Sequence, residues 1–113
     1  MSQELVAKIR KDREFKVALD GGRSVTAKRP TDVEMVASQN KPFHELGASH
    51  VVGWDKWTED DIIGGGGSDP VPFTPALWAE IYADRPDLWQ PISEAILESY
   101  KQHAEKLRAR AKN

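Results

Sequence analysis

The sequence has no cysteine. That excludes disulfides and thiolate metal sites, and it suits a reducing compartment. Long hydrophobic runs are missing too: no stretch approaches the ~20 apolar residues that cross a bilayer. The opening segment, MSQELVAKIRKDREF, has no extended apolar stretch and no small-residue cleavage site, so no secretory leader is expected there. Neither sign of charge dominates. Lys and Arg number 16 against 18 Asp and Glu, a formal net charge of −2, so no global field favours nucleic acid. Apolar content is modest, at 39% against 30% charged. The 113 residues suit one domain, with a thin core and a well-solvated surface.

Charge is unevenly placed. Residues 1–30 carry eight bases and four acids, residues 55–69 one base and five acids, and Lys101 to the end five bases and one acid. Such blocks can attract partners, although they also describe ordinary solvated faces.

Reactive constellations are scarce. The histidines, His44, His50 and His103, have no metal-ligand spacing. Glu59-Asp60-Asp61 lacks the alternating acids and central glycine of a calcium loop. The glycines Gly64–Gly67 are followed by Ser-Asp-Pro, whereas a phosphate-binding loop needs Lys-Ser/Thr, and Asp69 would repel a phosphate. No serine stands in a nucleophile-elbow context. The basic C-terminal end has no aromatic after Tyr100, as a single-strand nucleic-acid surface would need. No catalytic residues, metal or cofactor are expected, and neither nucleic acid nor a membrane is expected as partner.

The pattern predicts an α+β fold: an N-terminal β-hairpin, several short helices and a long C-terminal amphipathic helix. Residues 3–11 can form a short helix, with residues 1–12 prone to fray. Phe15, Val17 and Leu19 alternate, Asp20-Gly21-Gly22 supplies the turn, and Val25 and Ala27 alternate in the second strand. Thr31-Asp32-Val33-Glu34 is a capping box, predicting a helix from Asp32 to about Ser38 with Val33, Val36 and Ala37 facing the hairpin. Phe43 to Ser49 reads as a helical turn with Phe43 and Leu46 inward and His50 a further candidate for the inner side. Val51-Val52-Gly53-Trp54 reads as either a strand or a buried extended segment. Thr58-Glu59-Asp60-Asp61 resembles a capped first turn. Residues 64–70 are expected to be a flexible loop within a single domain of residues 1–113.

Thr74-Pro75 opens a helix predicted to run to about Ala83. In the last helix Trp89, Ile92, Ile96, Leu97, Tyr100, Ala104 and Leu107 fall within an arc of about 140°. Pro91 has no N–H and must lie in its first turn or kink it. Trp78, Tyr82 and Trp89 admit two readings. Such rings are core material, and they are also enriched where proteins bind one another.

Four segments in order carry a resemblance: Lys28-Arg29-Pro30-Thr31-Asp32-Val33-Glu34 closing the hairpin, Val51-Val52-Gly53-Trp54-Asp55, Pro70-Val71-Pro72-Phe73-Thr74-Pro75, and Asp87-Leu88-Trp89 leading into the last helix. Together, over residues 14 to about 107, they resemble the tail assembly chaperones of bacteriophages and prophages with long non-contractile tails. The resemblance implies a small mixed domain that coats the tape measure protein and keeps it soluble while tail tube subunits assemble. It implies contact with the tail tube protein through a frameshifted, extended form, and the capacity to form a homo-oligomer. It also implies the host cytoplasm as location and absence from the mature virion. The chain would correspond to the short form. Trp78, Tyr82, Trp89 and Leu97 are the expected partner-binding residues. The alternative role is a head–tail joining or tail-completion protein retained in the virion.

Overall fold

The computed structural model describes residues 2–112. Its elements run α1 (Ser2–Asp12), β1 (Glu14–Ala18), β2 (Ser24–Lys28), α2 (Asp32–Ala37), α3 (Glu45–Ser49), β3 (Val51–Asp55), α4 (Glu59–Ile62), α5 (Pro75–Ala83) and α6 (Pro86–Lys112). The fold is α+β, as the sequence pattern predicts.

The hairpin forms on its alternating residues, with Val17 opposite Val25 and Phe15 opposite Ala27. Its turn needs left-handed backbone at Gly21 and Gly22, at φ 75° and 76°, which glycine adopts without a Cβ penalty. The sheet has three strands rather than two. β3 pairs antiparallel with β2, giving the order β1-β2-β3, with a register shift between Thr26 and Ala27. The segment Val51–Trp54 is therefore a strand. Its pairing with β2 fully buries Val25 and Ala27, while Val51 is 8% exposed.

Local capping signals act where the sequence places them. The Thr31 hydroxyl accepts from the Glu34 N–H, and the Glu34 carboxylate accepts from the Thr31 N–H. Thr58 and Asp61 repeat this box on α4, and the Thr74 hydroxyl caps α5 by accepting from the Leu77 N–H. The glycine segment 64–67 is tied to α4: Gly65 N–H donates to the Asp60 carboxylate, Gly67 N–H to that of Glu59, and Asp60 N–H to the Gly67 carbonyl.

Two predicted orientations are corrected. Val33 and Val36 do not face the hairpin; they are 80% and 66% exposed, and Ala37 is exposed too. The inward side of α2 is instead Glu34, Met35 and Ser38, all half-buried. Polar anchors set this phase. Glu34 is held by the cap and lies 3.9 Å from His50, while Asp32 accepts from the Tyr100 hydroxyl of α6 at 2.5 Å. Phe43, expected inward, is 40% exposed, whereas Leu46 is buried.

α6 begins at Pro86, so Pro91 lies inside it, past the first turn. The Asp87 carbonyl therefore has no N–H from residue 91 to accept. The buried face of α6 carries Leu88, Ile92, Ser93 and Ile96 and packs on α3 and α5. Val17, Val25, Ala27, Val51 and Trp57 join these residues in one core.

Candidate functional site

The aromatic side chains form a connected series. Trp54 stacks on Trp57 with centroids 5.0 Å apart, Trp57 meets Trp78 edge-on at 6.2 Å, and Trp78 contacts Tyr82 at 5.2 Å. Tyr82 leads to Trp89 at 6.2 Å, and Trp89 stacks on His44 at 4.5 Å. Trp78 and Tyr82 are 2% and 3% exposed. These two expected partner-binding residues are core residues, and they offer no surface to another chain. Trp89 is half-buried, and its indole N–H donates to the Tyr82 carbonyl.

The physical reason lies in α3. Trp78 donates its indole N–H to the Gly47 carbonyl at 3.1 Å, and the Tyr82 hydroxyl donates to the His44 carbonyl at 2.8 Å. Gly47 permits that approach, because a Cβ there would sit 2.3 Å from the Tyr82 hydroxyl oxygen. Its N–H donates to the Ser93 hydroxyl of α6, itself fully buried. A small polar knot thus joins α3, α5 and α6 beneath the aromatic rings. Glycine inside a five-residue helix was the one available sequence signal for this close contact.

Leu97 has a different setting. It is half-buried and lines a cleft of about 410 Å³ between α2, α3 and α6. Met35, Phe43 and Leu46 supply the other large apolar walls. Phe43 and Leu97 also border a second groove, with Pro91, Ala95 and the charged Glu94, Glu98 and Lys101. The apolar surface is thus concentrated in the cleft itself, and the neighbouring groove is mixed in character. Another groove, of about 1140 Å³, runs between β1 and the C-terminal half of α6 and is edged mainly by charged and polar residues.

The cleft also holds a buried polar group. His50 is 5% exposed and lines it. Its Nδ1 lies 3.0 Å from the Leu46 carbonyl, so Nδ1 carries a proton, and in the neutral ring Nε2 presents a lone pair. That Nε2 is buried, has no hydrogen-bond partner among the described residues, and lies 3.9 Å from the Glu34 carboxylate. Burial lowers the imidazole pKa, opposed by the Leu46 bond and the Glu34 charge. The Thr31 N–H holds the Glu34 carboxyl below its ordinary value. The combination of a neutral imidazole and an ionised carboxylate gives two neighbouring acceptors at one end of an apolar cleft. The sequence offers His50 as a candidate inward residue, which its burial bears out, but its place beside Glu34 depends on α2 and α3 meeting in space.

Among the described residues, no group of three or more His, Asp or Glu converges as a metal site, and no helix is long and apolar enough to cross a membrane. Comparison with protein-family models, with curated proteins and with solved structures gives no match.

Proposed function

We propose that this chain is a tail assembly chaperone of a long-tailed phage or prophage, and that it holds the tape measure protein in solution while the tail tube grows. The observation that carries the reading is the apolar cleft walled by Met35, Phe43, Leu46 and Leu97 between α2, α3 and α6. A helix laid in such a groove buries residues at i, i+3, i+4 and i+7, and needs no turnover chemistry. Leu97 keeps its expected part; Trp78 and Tyr82 pass theirs to Phe43 and Met35. The resemblance carried by residues 28–34, 51–55, 70–75 and 87–89 supplies the phage context. In this reading the chain acts in the host cytoplasm, can self-associate, reaches the tail tube protein through an extended form, and leaves before the virion is complete.

The test is co-expression with the tape measure protein, followed by mass spectrometry of purified particles. The client is expected in the soluble fraction only when the chain is present, with the chain missing from the particles. Stoichiometric chain in mature particles would overturn the reading and favour a head–tail joining or tail-completion part.

A further inference from the structure

We infer that the cleft between α2, α3 and α6 is a binding site for a primary ammonium carried on an apolar stem, with His50 Nε2 and the Glu34 carboxylate as its two acceptors. The inference goes beyond the assembly reading and does not depend on it. Its starting point is the buried lone pair on Nε2, which no group among the described residues satisfies. An orphaned buried acceptor is costly, and a ligand that supplies a donor gains the whole hydrogen bond.

The geometry selects the donor. The two acceptor atoms are 3.9 Å apart, so one nitrogen can lie about 2.9 Å from both. That nitrogen must bring at least two N–H groups, because both neighbours only accept. Glu34 Oε1 already takes the Thr31 N–H, which fixes the carboxylate in place. A hydroxyl has a single hydrogen and can satisfy one acceptor at a time. A carboxylate ligand has none and would meet Glu34 as a like charge. The charges that line the cleft are Glu34 and Glu45 against Lys41, with His50 neutral; Lys28, near both His50 and Glu34, opposes a cation in part.

The walls select the stem. Met35, Phe43, Leu46 and Leu97 give the ligand apolar contact, and a volume of about 410 Å³ lies in the ordinary range of small-molecule sites. Nε2 is closed off from solvent, so a side-chain rotation at the wall accompanies binding. Met35, unbranched and adaptable, borders the opening. Two sources share this chemistry: a free alkylamine, and a lysine side chain of a partner helix.

The experiment titrates the full chain with n-hexylamine, n-hexanol and hexanoate, observing the His50 ring by nuclear magnetic resonance. n-Hexylamine is expected to give a saturable shift of the His50 ring nitrogens, n-hexanol to bind about tenfold more weakly, and hexanoate to leave the ring unmoved. Glu34→Gln keeps a side chain that can complete the capping box, so the variant should fold. It is expected to remove the preference of amine over alcohol. A helical peptide bearing one lysine among leucine and alanine, compared with the same peptide bearing norleucine there, separates the sources. Lysine-dependent displacement of n-hexylamine assigns the site to a protein side chain, and its failure assigns it to free amines. The proposal is overturned if n-hexylamine gives no saturable shift at His50, if hexanoate binds equally, or if Glu34→Gln leaves the preference intact. Client solubility in the co-expression test is read independently of all these outcomes.

Discussion

Each of the four tryptophans donates its indole N–H to a main-chain carbonyl: Trp54 to Val71, Trp57 to Ser24, Trp78 to Gly47 and Trp89 to Tyr82. These bonds span 7 to 33 positions of sequence, so the rings fasten distant segments as well as filling space. Composition shows four tryptophans in a chain of modest apolar content, and that surplus reads equally well as surface or as core. Only the carbonyl partners decide between them, and those come from loops and helices brought together by folding. Truncating Trp78 to alanine would cost about 3–5 kcal/mol and would report on folding before it reported on any partner. Gly47 is the residue on which this arrangement turns, since a Cβ would overlap the Tyr82 hydroxyl. Gly47→Ala is expected to destabilise the chain by roughly 1–3 kcal/mol through overpacking, read as a lower urea midpoint. Gly22→Ala would also be costly, because of its positive φ, but it would leave the tryptophan environment unchanged. An unaltered midpoint in Gly47→Ala would contradict the close approach of α3 to α5.

At the scale of elements, what the sequence disclosed was local. Thr31, Thr58 and Thr74 start their helices where capping chemistry places them, because a cap is decided within four residues. The phase of α2 was not legible. Its valines suggest an inward face, yet its anchors are a carboxylate beside His50 of α3's C-terminal end and an Asp32 held by Tyr100 of α6. Strand β3 was similarly ambiguous, since pairing with β2 is a long-range event that five residues cannot announce. The α2–α3 contact predicts a pH dependence. Burial lowers the His50 pKa in the folded chain from its ordinary 6.5, so the unfolded chain binds more protons below that value. Stability is therefore full above about 6.5 and falls as the pH drops toward the depressed folded pKa. Lys28 repels the proton on His50 and Glu34 attracts it, with burial the larger effect. Glu34, whose own pKa is lowered, adds a second loss below its ordinary 4.5. Urea unfolding at pH 7.5 and 5.5 checks this. Wild type is expected to lose stability between the two, and His50→Gln to lose less.

The whole molecule is more extended than its length requires. Its radius of gyration is 15.8 Å, against about 13 Å for a compact chain of this size, and its extents are 55 × 35 × 22 Å. Both ends contribute. α1 buries no residue, leaving Leu5, Val6 and Ile9 exposed, and Leu107 is exposed near the end of α6. The core is small and aromatic, and a considerable apolar surface stays uncovered: Val33, Val36, Phe43 and Ile63 add to it. A chain that works by sheltering another apolar polypeptide would carry such a surface. The central proposal is that capture occurs at the cleft walled by Phe43 and Leu97, with the buried tryptophan series serving the fold. The direct measurement compares tape measure protein held in the soluble fraction by wild type and by Phe43→Ser/Leu97→Ser, after tryptophan fluorescence has verified that the variant retains its core. The account predicts that the variant folds and loses most of its capture; a folded variant that holds the client as well as wild type would contradict it.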